Sequence, residues 1–95
     1  MSNQSHVKDP QAVKDYAWDW SDWLTLGDSI TAFTVTTTAG DVVVDASPAP
    51  SESAGVVTAW ISGGTVGTDA EVTCHIETAQ GREDDQTLYF KIRHT

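Results

Sequence analysis

Residues able to do chemistry fall in five groups. Cys74 and His75 are adjacent, the parts of a thiol nucleophile and its base. Asp15, Asp19, Asp22 and Asp28 form one acidic set and Glu83-Asp84-Asp85 a second, the raw material of a cation site. Gly63, Gly64 and Gly67 make a corner of the sort that can cradle phosphate. Tyr16, Trp18, Trp20 and Trp23 gather aromatic mass, as a sugar-stacking platform or a protein contact would.

Spacing tells against most of this chemistry. Successive strand residues point to opposite faces, so Cys74 and His75 cannot form a hydrogen-bonded dyad on a strand. Cys74 shares its face with Val72 and Ile76 and reads as a small core hydrophobe. Neither acidic set has the D-x-[DN]-x-[DN]-G spacing of a calcium loop, so both read as a solvated rim. The glycine corner has no following Lys and is flanked by strand, not helix. His6 and His94 lie near the termini, outside any Ser–His–Asp order. No catalytic, cofactor-binding or metal-binding residue is therefore expected, and the chain reads as non-enzymatic with no small-molecule substrate. The aromatic group reads first as a core plug, with Asp15, Asp19 and Asp22 on the wet side. A partner contact and a sugar platform are its alternatives.

Charge narrows the partners. The formal charge is −9, from 14 Asp and Glu against 5 Lys and Arg, and no Lys or Arg lies between Lys14 and Arg82. Nucleic acid needs a basic face, and an anionic membrane surface repels this one, so neither is an expected partner. No run of 18 apolar residues is present, and the polar start from Met1 to His6 does not read as a signal peptide. A lone cysteine excludes an intrachain disulfide framework, and a reducing cytoplasm is the expected place of synthesis. The Asn3-Gln4-Ser5 sequon is accordingly read as idle.

Thr (13), Val (10) and Ile (4) supply 27 of the 95 residues, and β-branched side chains favour a pleated surface. Residues 1–12 lack periodicity and read as an extended N-terminal arm that orders on a neighbouring subunit. Residues 13–95 read as one sandwich. Tyr16, Trp18 and Trp20 alternate with Asp15, Ala17 and Asp19, giving a first strand with an aromatic inner face. Ser21 is the expected cap of a short helical turn after it. Strands follow over residues 29–37, 41–45 and 55–62, and Ile30 lies on the opposite face from Phe33, as a bulge or a strand half-covered on both sides would place it. Ser47-Pro48-Ala49-Pro50-Ser51 reads as a loop. Ala70, Val72, Cys74 and Ile76, then Leu88, Phe90 and Ile92, face inward on the two strands of a hairpin bent at Gly81. About seven short antiparallel strands with regular turns predict an all-β, immunoglobulin-like β-sandwich.

Three segments also carry a family likeness. They are Lys8-Asp9-Pro10 with Asp15-Tyr16 and Trp18-Asp19-Trp20-Ser21-x-Trp23-Leu24; Ile30-Thr31 with Trp60-Ile61-Ser62-Gly63-Gly64-Thr65-x-Gly67-Thr68; and Val72-Thr73-Cys74-x-Ile76-x-Thr78-Ala79-x-Gly81-Arg82-x-Asp84-Asp85. In order and spacing they resemble small tailed-bacteriophage virion proteins of the fibre–tail adaptor type, over about residues 8–93. The chain departs from that group at His75, where Arg is frequent, at Gln86, and in its 45–55 loop. The resemblance implies an immunoglobulin-like fold, no catalytic residues, and a place in the virion. The expected role is a structural protein joining or reinforcing other virion proteins, tail, fibre or capsid subunits, in multiple copies per particle. A fibre–tail adaptor in the tail or baseplate comes first. Alternatives are a capsid decoration protein and a carbohydrate-binding module for host cell-wall sugars.

The hairpin parity makes a direct prediction. Cys74 resists a thiol reagent in the native protein and reacts only on unfolding; rapid labelling without denaturant would show that residues 70–78 are out of register.

Overall fold

β-branched runs and period-two alternation resolve into eight strands in the computed structural model, which describes residues 4–21, 23–24, 27–47 and 49–94. They are β1 (Gln4–Lys8), β2 (Lys14–Asp19), β3 (Ile30–Ala39), β4 (Val42–Val44), β5 (Ser51–Ser53), β6 (Val56–Gly63), β7 (Asp69–Thr78) and β8 (Glu83–Ile92). One sheet has the order β1-β8-β7-β3; the other has β2-β6-β4, with β5 also on β6. In immunoglobulin lettering β2, β6 and β4 are the B-E-D sheet and β8, β7 and β3 the G-F-C sheet. The fold is the expected all-β sandwich, with eight strands instead of seven.

Between the sheets, Trp18, Trp20, Val57, Ala59 and Ile61 meet Val72, Cys74, Ile76, Leu88, Phe90 and Ile92 in one buried cluster. Inward faces agree with the alternation read from the sequence. Ile30 joins Phe33 and Val35 at the cluster's margin because the β3–β7 register slips between Ile30 and Ala32, which absorbs the change of phase.

Residues 4–8 depart from expectation. They are extended, but as β1 they lie within the sandwich instead of forming an arm beside it. β1 pairs in parallel with β8, from Gln4↔Leu88 to Lys8↔Ile92. The apolar pattern hid this strand because Val7, its one aliphatic residue, is 56% exposed while Lys8 is 1% exposed. Lys8 Nζ donates to the Gly63 carbonyl at 2.6 Å and to that of Asp9 at 2.9 Å. Burial lowers its pKa, and the charges of Asp9 and Asp45 oppose that fall. His6 sits with Tyr16 and Phe90, ring centroids 5.2 and 5.7 Å away, so β1 touches both sheets.

A second difference lies after β2. Trp23 N and Leu24 N both donate to the Trp20 carbonyl at 3.0 Å, closing a turn; no helix occurs among the described residues. The capping acceptor is Asp19, whose Oδ1 takes the N–H and the hydroxyl of Ser21 at 2.9 and 2.6 Å. Asn3 of the sequon, Asp22 of the acidic set and Pro48 of the loop lie outside the described residues.

Two outcomes follow for stability. Trp18→Ala or Trp20→Ala removes a fully buried ring at about 3–5 kcal/mol, much of the roughly 5–15 kcal/mol holding such a domain, so unfolded or insoluble protein is expected. Asp15→Ala, an exposed change on the same strand, leaves the urea midpoint unaltered. Lys8→Ala orphans the Gly63 carbonyl at about 1–3 kcal/mol and lowers the thermal midpoint by at least about 4 °C. An unchanged midpoint would return residues 4–8 to a free arm.

Candidate functional site

Strand parity separates the would-be nucleophile from its base. Cys74 is fully buried, and desolvation pushes its thiol up to about 11. The Trp20 indole N–H lies near the sulfur and opposes that rise, without a hydrogen bond of ordinary geometry. A thiol so placed is almost wholly protonated at neutral pH and inert. Trp18 and Trp20 are 1% and 0% exposed and offer no face to a sugar ring.

The residues that stood out as motifs hold corners. Asp9 Oδ1 accepts from Gln11 N at 2.8 Å and its carbonyl from Ala12 N at 3.0 Å, making Lys8-Asp9-Pro10 a pin followed by a turn. In the glycine corner, Ser62 Oγ donates to Asp45 Oδ1 at 2.7 Å, and Thr65 donates to the Asp41 carboxylate through its N–H and its hydroxyl. Gly64, at φ +108°, lies so close to Ile92 that a Cβ would come within 2.9 Å of its Cδ1. Gly64 thus serves close approach, and Gly63 and Gly67 supply the positive φ of +79° and +85° that turns the corner. In the closing hairpin, the Arg82 guanidinium lies 3.9 Å from the centroid of the Trp23 ring and donates to the Trp23 carbonyl at 3.3 Å. Asp28 takes Ser29 N and Gln80 N at 2.9 and 3.1 Å, joining the loop before β3 to the turn after β7.

The acidic residues do not converge as their sequence grouping implied. Asp19 and Asp28 serve as separate backbone caps, and Asp15 stands exposed on β2. Glu83-Asp84-Asp85 is divided by parity. Glu83 stands opposite Glu77 and Asp85 opposite His75, whereas Asp84 pairs with Ile76. His75 Nδ1 lies 2.6 Å from Asp85 Oδ1, and Nε2 lies 3.3 Å from Glu83 Oε1. The Asp85 hydrogen bond raises the His75 pKa, and Glu83 adds to the rise. Sequence reading missed this constellation, although the Gly81 bend and period-two alternation together contain its register.

The remaining candidate element is an edge. Among the described residues, β3 pairs only with β7, leaving its other side without a strand partner. It is ten residues long, with no charged residue and no proline, and Thr31, Ala32, Thr34, Thr36 and Thr38 are exposed. β4 and β5 are three residues each, and β2 carries Lys14, Asp15 and Asp19. Short length and charge are the usual means of blunting an edge; β3 has neither.

No curated protein matches the chain. Residues 8–91 match the family model described as podophage GP4 fiber-tail adaptor protein gp77, a span that holds all three motif segments and every strand except β1 nearly entire, and the chain belongs to that family.

Proposed function

We propose that this protein is a non-enzymatic virion structural module that joins fibre to tail, made in the host cytoplasm and incorporated in several copies per particle. Family membership over residues 8–91 carries the reading and implies a structural role among other virion proteins. The geometry adds a means of attachment. An uncharged ten-residue edge suits strand addition, in which backbone hydrogen bonds supply affinity and side-chain contacts supply selectivity. Several copies engaged together multiply weak individual contacts into a stable joint. The acidic surface favours a partner segment that is neutral or basic.

The test is a phage whose own copy of this protein is replaced by Thr34→Lys/Thr36→Lys. Lysines on the edge oppose strand addition, while both positions are exposed in the folded domain. Expected are an unaltered thermal midpoint, loss of the protein from purified particles and at least tenfold fewer infectious particles. Normal incorporation would remove β3 as the docking edge. Cryo-electron microscopy of the parent particle checks the position: a few to a dozen copies between tail and fibre support the adaptor reading, and hundreds on the head would replace it with capsid decoration.

A further inference from the structure

We propose that the outer face of the β7–β8 hairpin is a site for a zinc-type divalent metal ion, with His75 Nε2 and the carboxylates of Glu77 and Glu83 as ligands and Asp85 as the positioning residue. His75 and Glu77 are two apart on β7 and share a face; their register partners Asp85 and Glu83 complete a square on that face. One ligand atom from each of His75, Glu77 and Glu83 lies within 4.8 Å of the others.

The imidazole is already oriented. In the neutral tautomer that donates Nδ1–H to Asp85 at 2.6 Å, the Nε2 lone pair faces Glu83 Oε1 across 3.3 Å. As imidazolium, His75 donates Nε2–H across this gap, and a metal ion that displaces the proton takes the same place. Zinc bonds of about 2.0–2.1 Å to nitrogen and oxygen give a tetrahedral edge of roughly 3.3–3.4 Å, so the pair already spans one edge of such a site. A carboxylate holding the far nitrogen of a ligating histidine is the usual support for this arrangement.

Charge and surroundings agree. Glu77 and Glu83 are directly opposed like charges, a destabilising cross-strand pair that a divalent cation offsets. From β3 the facing residues are Ala32 and Thr34, short and uncharged, so no cation from that strand fills the place. On the other side the square is bounded by Thr73 and Thr87, whose hydroxyls bond to each other at 2.9 Å. An imidazole with two carboxylates suits zinc and its transition-metal neighbours; calcium, which takes 6–8 oxygen ligands, finds too few. Three protein ligands leave one coordination position open, as water or a partner's side chain would use it.

The test is calorimetric titration of ZnCl2 into the whole chain, and it is independent of the fibre–tail reading. Expected are one zinc ion per chain, affinity unaltered in His94→Gln, and no displacement by millimolar calcium. His75→Gln should weaken binding at least tenfold, and Asp85→Asn by about 10–100-fold. Glu83→Gln, also exposed, serves as the second variant if His75→Gln does not fold by circular dichroism. Absence of saturable binding at one equivalent, or affinity unchanged in a folded ligand variant, would overturn the site.

Discussion

Everything in this domain depends on two sheets held together by packing without a covalent tie. In antibody domains a disulfide joins strands B and F, with a tryptophan packed against it. Here the F-position strand supplies Cys74, and the B-position strand supplies Trp18 and leads into Trp20. Two indoles at one side and a small thiol at the other fill the same intersheet space by complementary volume. Each ring brings about 150–250 Å² of surface, enough to replace much of what a crosslink would contribute, and the arrangement does not depend on redox conditions. Its cost is polar. Among the described residues the indole N–H groups of Trp18 and Trp20 are buried without a hydrogen-bond partner of ordinary geometry, so the rings are held mainly by shape and area.

With the centre closed by volume, the ends are closed by directed bonds. Lys8 spans from β1 to the Gly63 carbonyl, Asp41 ties the turn before β4 to Thr65, and Arg82 ties the β7–β8 turn to Trp23. All three links join segments far apart in sequence. Each has at least one end in a segment that marks the family, so those motifs hold the scaffold together. What the scaffold leaves on its surface is the uncharged β3 edge and the His75 face of the hairpin beside it, the two places where we propose contacts.

Much of this was legible in the sequence, and the remainder was not for identifiable reasons. Where one face is buried and the other wet, alternation fixes register, so Val72, Cys74 and Ile76 and then Leu88, Phe90 and Ile92 were placed correctly by type alone. β1 escaped because its energetics reside in backbone pairing, an aromatic histidine and a buried ammonium, none of which has an apolar period. β5 escaped because three residues, Ser51–Ser53, show no period at all. For the surface, the acidic runs were visible but their grouping was misleading. Adjacent carboxylates such as Asp84 and Asp85 diverge, and distant ones such as Glu77 and Glu83 meet. Finding the His75 square requires pairing two strands through their turn before asking what any residue does.

The parallel pairing of β1 with β8 has a mechanical consequence. Chain enters at Gln4 and leaves beyond Ile92, at opposite ends of one two-strand ladder whose register covers five residue pairs. Tension applied through those two points slides the strands past each other along their length. The rungs then share the load and must fail together, whereas an antiparallel hairpin pulled from its open end unzips one rung at a time. Lys8, at the last rung, adds its own anchor to Gly63. A module built this way resists stretching between those two points far better than its modest core alone would allow.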